Sequence, residues 1–426
     1  MKRRVGSAGL AHRLAAAAIW VLAGMQGLSA AARADTLRIL TSLPPAMTTP
    51  FVEAFKADNP GVDVLVLNKN TVSAMDDVLR DRKRGFDVFW ASAPEAFEII
   101  DRQGGFNPDS GCPATGDTGY VPFAISSIGW TLKRDSALTP PRVWDDLLLP
   151  AYLGQIGMAP PSRSGTTHML VERFLQVRGW EEGWAFLLGL SQNLSTITSR
   201  SFAVTDGVRN GRFGIGLTID FLAGTSEPEL QFHYGTPAIL FPAQIGLLGG
   251  AGTVNNACRF ITLVTDVAGQ RLLLQPGIGR IPVSEAVREQ AGDAIPAEVR
   301  TALKSRWLHY NAALASDRFG AVNVLFDLAI TNRLDERRSL WRRLRALEGR
   351  VIGHELDLLS RQLVSLPISE SEALRSEAVL FATHVTELTD LAEAQRTLMN
   401  NWEDRIAGQL AAIEGALGAL EIRVAP

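Results

Sequence analysis

The sequence predicts an α/β protein of 426 residues that ends in an all-helical C-terminal extension. Three observations carry this prediction. Short apolar segments alternate with amphipathic ones from residue 35 onward, the pattern of a parallel sheet with helical crossovers. A second α/β run begins after Tyr120 with "VPFAISSIGWTLKRD". Beyond Asn332 the apolar residues recur at three- and four-residue steps, which is helical spacing.

The first residues stand outside this pattern. Lys2, Arg3 and Arg4 precede an apolar stretch from residue 14 to 28, and Ala32-Arg33-Ala34 has the form of a signal peptidase site. Residues 1–34 are therefore expected to be a secretory signal, with a soluble exported chain starting near Asp35. The apolar stretch is short for a membrane span. No cysteine follows the small residues, so nothing supports a lipid anchor. Loss of five basic and no acidic residues takes the formal charge from −3 to −8. An acidic chain without a basic stripe is a poor partner for nucleic acid, so any anion site must be local.

"DTLRILTSL" reads as the first strand and "MTTPFVEAFKADNP" as a helix, with Thr49 as its cap and Pro50 in its first turn. "GVDVLVLNKN" is the second strand, "TVSAMDDVLRDRKRG" a helix, "FDVFWAS" the third strand and "PEAFEIIDRQGG" a third helix. The strand ends carry small polar residues: Thr41-Ser42-Leu43, Asn68-Lys69-Asn70-Thr71 and Ala91-Ser92-Ala93. Ligands of parallel sheets bind beyond such carboxyl ends, so three loops of this kind suggest a shared rim.

In the second unit "APPSRSGTT" separates a strand from the apolar run "HMLVERFL", and "GRFGIGLTIDFLAG" supplies a further strand ending near Asp220. "NNACRFITLVTDVAGQRLLLQPGIGRIPV" reads as a helix, a turn and a short return segment. In the extension, Leu340, Leu344, Leu347 and Val351 form one stripe, and Leu398, Trp402, Ile406, Leu410, Ile413, Leu417 and Leu420 another. Pro367 breaks the helices between them and Ser369 is positioned to cap the next. Such stripes are ordinarily packing surfaces. Cys112 and Cys258 either pair in an oxidising compartment or lie buried as thiols. A bridge would close a long loop and contribute roughly 4–5 kcal/mol by chain entropy.

The segments "LNKNT", "FDVFWASAPEAF", "YLGQIGMAPPSRSGT", "VTDGVRNGRFGIGLTIDF" and "ACRFITLVTDVAGQRLLLQPGIGRIPV", in that order, carry a resemblance. Residues 35 to about 330 resemble the type II periplasmic substrate-binding proteins of ABC importers, within the ferric-ion, sugar-phosphate and phosphoglycerate-type group. The resemblance implies two α/β lobes that close on a solute and deliver it to a permease in the inner membrane. It divides the chain into lobe 1 (35–122 and 239–332), lobe 2 (123–238) and a helical extension (333–426), with crossings near residues 121–130 and 230–240.

On that reading "PSRSGTT" faces the cleft and runs into a helix N-terminus. Free amides and the positive dipole end make such a start an anion seat, although an ordinary N-cap has the same composition. Ser162, Ser164, Thr166 and Thr167 offer hydroxyls, Gly165 permits close backbone approach, and Arg163 can pair with phosphate or carboxylate. Ser42, Thr71 and Ser92 face the same space from the first lobe. Lys69 reads better as a surface lysine. Arg200 and Ser201 in "TSRSF" match a second contact of the family. Asp220 lies where the family often places a ligand contact, suited to solute hydroxyls or an amine; a helix cap or hinge ion pair is its structural alternative.

The leading expectation is a binding protein for a small phosphorylated or other organic anion. A cationic solute such as thiamine or a polyamine, held by Asp220 with Trp90 and Phe221, is the alternative. A sensory or regulatory protein that docks a membrane sensor through its extension is another. Ferric ion is disfavoured, because Tyr120, Tyr152, Tyr234 and Tyr310 are isolated where iron-binding relatives use adjacent tyrosines. No cofactor is expected. With no P-loop, nucleophile elbow, zinc-binding histidine pair or triad, neither is enzymatic activity.

Overall fold

The computed structural model describes residues 36–80, 85–223, 229–304, 310–351, 354–380 and 388–425. The signal expected at residues 1–34 and the end of the helix expected to reach residue 85 fall at least partly outside them. The opening strands are β1 (Thr36–Thr41), β2 (Asp63–Asn68) and β3 (Val88–Ala91), joined and followed by helices α1 (Pro45–Asp58), α2 (Thr71–Arg80) and α3 (Pro94–Arg102). β1 pairs in parallel with both β2 and β3, as helical crossovers require.

Two long strands organise the rest. β4 (Tyr120–Lys133) and β8 (Leu230–Leu247) run antiparallel from Tyr120↔Gly246 to Lys133↔Leu230, with register shifts at Pro122/Ala124 and Ile128/Gly129. On one side of the second shift β8 continues onto β3. Beyond it β4 pairs with β7 (Ile215–Ile219), which leads in parallel to β5 (Ile156–Met158) and β6 (Leu194–Ile197). The sheet order is β2-β1-β3-β8-β4-β7-β5-β6, and the short β9 (Ile281–Pro282) adds to β4. The two strands thus pass through both halves of the sheet. At the crossing, a Cβ on Gly129 would lie 2.2 Å from the His233 carbonyl oxygen, so only glycine fits.

The second half carries α4 (Gly165–Arg178), α5 (Trp180–Leu190) and α6 (Phe202–Arg209); α7 (Val254–Thr265) and α8 (Val267–Leu272) return to the first. Cys258 on α7 is joined to Cys112 by a disulfide. The first helix departs from expectation. Pro44 is its extended cap and Pro45 its first residue, so Pro50 sits inside the helix rather than in its first turn. A proline satisfies a helix start without forfeiting a bond, and the Pro44-Pro45 pair takes that role one turn before Thr49 can.

α9 (Phe319–Phe326) and a π-helical turn (Asp327–Thr331) lead into the extension, which is α10 (Leu334–Leu347), α11 (Glu355–Leu363), α12 (Glu370–Leu380) and α13 (Leu388–Arg423). Leu340, Leu344 and Leu347 are buried, but Val351 lies past the end of α10. Trp402, Ile406, Leu410, Ile413, Leu417 and Leu420 are buried in the same continuous core as Leu37 and Trp130. Ser369 accepts the Glu372 amide at 3.3 Å, the expected cap. Polar bonds fasten the extension to α4 and α5. Arg318 pairs with Glu172 at 2.6 Å and also with Glu370; both Arg318 and Glu172 are buried. The Trp180 indole donates to the Ile368 carbonyl at 2.9 Å. Glu377 accepts the amides of Gly320 and Ala321 at 2.7 and 2.9 Å, capping α9.

Glu95 is fully buried on α3, with one oxygen 3.2 Å from the Tyr310 hydroxyl and the other without a partner among the described residues. Burial pushes its carboxyl up to about 8 from an ordinary 4.5. A carboxyl raised on folding adds stability below its unfolded value and loses it as pH rises through the folded value. Stability should therefore fall between pH 4.5 and about 8, by on the order of a few kcal/mol. Thermal unfolding from pH 5 to 8.5 should show this slope, and Glu95→Gln should flatten it. An identical slope in the variant would assign the effect to other groups.

Candidate functional site

Between the two halves lies a narrow crevice of about 40 Å³, room for roughly three water-sized occupants. Its walls bring together Ser42, Thr71 and Ser92 from the strand ends of the first half. From the second half come Arg163, Ser164, Gly165 and Thr166 at the start of α4, with Arg200 and Ser201 at the start of α6. Asn70, Leu43, Phe202, Ile219, Phe221 and Leu222 complete it. The halves meet closely here. A Cβ on Gly165 would lie 2.8 Å from Thr71 Oγ1 and 2.9 Å from the Ala93 Cβ.

Each helix start has part of its capping met internally and part left open. Ser164 Oγ accepts the Thr167 amide at 3.1 Å and the Thr167 hydroxyl at 3.0 Å, and lies 2.6 Å from Ser201 Oγ. Its hydroxyl therefore works mainly as the N-cap of α4. The amides of Gly165 and Thr166 find no acceptor among the described residues, nor do those of Ser201 and Phe202, because Ser201 makes no side-chain cap. Asn70 Oδ1 takes the Ser73 amide at 2.9 Å and leaves the first amide of α2 open in the same way. Helix starts with free amides present partial positive charge. Arg163 is exposed, and Arg200 is held by Asn68 Oδ1 at 3.2 Å with its guanidinium 5.4 Å from the Phe202 ring centre. Among the described residues no carboxylate lines the crevice.

Several expected residues are placed otherwise. Ser162 sits in the short turn Pro161–Arg163 and is not among the residues that line the crevice. Asp220 does not line it either. The one-turn helix Asp220–Ala223 folds its carboxylate inward, where it accepts the Ser127 and Phe221 amides, each at 2.9 Å. Lys69, not expected in the site, pairs with Asp77 and does not line the crevice. Trp90 is fully buried among Phe51, Phe123 and Phe260 and forms core, not a cage. The face of Phe221 is covered by the Arg280 guanidinium 4.2 Å from its centre. Among the described residues no group of His, Cys, Asp and Glu gathers as a metal site.

Asn70 and Phe202 belong to the crevice but were not singled out from the sequence. Both flank helix starts, in "KNT" and "RSF", which is the signal that could have marked them. Arg280 left a fainter one, as the lone charge in the otherwise apolar "PGIGRIPV".

Comparison with known proteins bears on this arrangement. Residues 106–234 match the bacterial extracellular solute-binding protein family. The periplasmic binding protein AfuA of Actinobacillus pleuropneumoniae, solved with exogenous fructose-6-phosphate bound, superposes with a TM-score of 0.60. It is 17% identical, over 70% of this chain and 98% of its own. A ferric binding protein from Campylobacter jejuni superposes at 0.56, is 12% identical, and covers 70% and 99% of the two chains. The chain has the two-lobe fold of the type II periplasmic binding proteins. The family match is confined to residues 106–234, and the superpositions at 17% and 12% identity speak for the fold. A relative in sequence is the phosphoglycerate transport regulatory protein PgtC of Salmonella typhimurium. It is 28% identical over 351 residues, 79% of this chain and 87% of PgtC. That match covers a larger share of the chain than the 70% on which AfuA superposes. No helix among the described residues is long and apolar enough to cross a membrane.

Proposed function

We propose that this chain captures a small phosphorylated organic anion in the interlobe crevice, after export to the periplasm, and delivers it to an ABC permease. One observation carries the reading. Open amides at the starts of α2, α4 and α6, together with Arg163 and Arg200, converge on a crevice that no carboxylate among the described residues lines, in a chain of net charge −3. Positive dipole ends, hydroxyls and guanidinium groups suit phosphoryl oxygens. The ligand named for AfuA and the solute class in the name of PgtC are consistent with it. The lobe boundaries 35–122 with 239–332, and 123–238, follow as part of the proposal, with β4 and β8 as the hinge. The cationic alternative loses its support, since the Asp220 carboxylate is bonded internally and the Phe221 face is occupied.

A regulatory role is a second reading, favoured by the Arg318 contacts that join the extension to the cleft helix α4. It would make the extension the docking surface for a membrane sensor.

Titration calorimetry with phosphoglycerates, sugar phosphates, phosphonates and dicarboxylates tests the main reading. Saturable binding is expected, with stabilisation of roughly 4 kcal/mol at a thousandfold excess over Kd. A flat response to every anion would sink it.

A further inference from the structure

Arg280 is 2% exposed, yet among the described residues it forms no ion pair. The carboxylate that acts on it most, Asp220, gives its oxygens to two backbone amides. Arg280 Nη2 instead donates to Ser92 Oγ at 2.8 Å and to Ser126 Oγ. Among the described residues Nη1 meets only the Met47 sulfur, at 3.2 Å, and Nε has no acceptor. A buried cation without a bonded counter-charge is unfavourable unless something else answers it. Both groups that cover Arg280 on the crevice side, Ser92 and Phe221, also line the crevice.

The chemistry at Ser92 follows from donor and acceptor roles. A guanidinium only donates, so Ser92 Oγ accepts from Arg280 and cannot return its own hydrogen to it. That hydrogen has no other acceptor among the described residues. The hydroxyl is left as a donor on a crevice wall, polarised by a positive charge behind it.

We propose that Arg280 is a positioning residue that commits the Ser92 hydroxyl to donating into the crevice, so that this wall selects an acceptor-only group such as a phosphoryl or carboxylate oxygen. The inference rests on the anion-binding reading and deepens it by naming what faces Ser92. The same wall would disfavour an ammonium group, which would meet a donor backed by a cation.

The test uses the full-length exported protein with 3-phosphoglycerate and fructose 6-phosphate as calorimetric probes. Arg280→Met should weaken the better probe by tenfold or more, and Ser92→Ala by a similar factor. The double variant should bind no more weakly than either single one, because both remove the same donor. Arg280→Lys, which keeps charge and a donor, should recover part of the loss. A structural role alone would give independent losses that multiply, and that outcome overturns the inference, as does native affinity in either single variant. Should Arg280→Met not fold, Ser92→Ala and Arg280→Lys carry the test, and native affinity in Ser92→Ala overturns it. Failure of the native protein to bind either probe, or any other anion, overturns the anion reading itself, a result distinct from multiplying losses.

Discussion

Gly165→Ala is expected to weaken solute capture by a hundredfold or more while leaving the ligand-free protein as stable as the native chain. The added methyl would stand 2.8 Å from Thr71 Oγ1 and 2.9 Å from the Ala93 Cβ, both on the facing lobe. Thr71 and Ala93 are buried and cannot swing aside. The lobes must then stop short of closure, so the open amides on the two sides no longer reach one guest. A hundredfold loss corresponds to about 2.7 kcal/mol. Gly165 opens α4 at a position where alanine favours helix, so stability without solute should hold or rise slightly. Calorimetry beside thermal unfolding separates the two effects. Native affinity in this variant would mean that closure does not bring Gly165 against Thr71.

The largest loss of stability should follow Arg318→Met. Arg318 and Glu172 are 1% and 0% exposed, bonded through Nε at 3.1 and 3.2 Å and Nη2 at 2.6 Å. Removing the arginine strands a buried carboxylate and should cost about 3–5 kcal/mol. Neutralising the partner as well, with Arg318→Met and Glu172→Gln together, should restore most of it. Denaturant unfolding reads both. A single-variant loss below about 1 kcal/mol would show that water already reaches Glu172. Because Arg318 also holds Glu370, the same variant should loosen the extension from α4, which proteolysis of residues 333–426 would report.

Much of the fold was legible because strands and helices follow local hydropathy. "TLRILT", "DVLVLN" and "VFWA" are strands where their composition says, and the leucine and isoleucine stripe from Trp402 to Leu420 is buried. Part of the site was legible for a similar reason. Small polar residues before helix starts, as in "PSRSGTT" and "TSRSF", mark positions where amides lie open whatever the tertiary fold. Asp220 and Pro50 show the limit. A carboxylate at the end of "GLTID" can face a solute or turn inward, and the amides of Ser127 and Phe221 decided for the interior. Proline at residue 50 suits a first turn, but Pro44 and Pro45 had already opened the helix.

By itself, the sequence determined which segments are strands, which are helices, and where polar helix starts punctuate the chain, since each depends on residues within a few positions of one another. Only the tertiary structure decided that those starts converge, that Gly165 touches Thr71, and that Arg280 stands behind Ser92. Such contacts join residues 37 or more positions apart, and no local preference specifies them; those across the crevice are set by how two long strands carry one half of the sheet against the other.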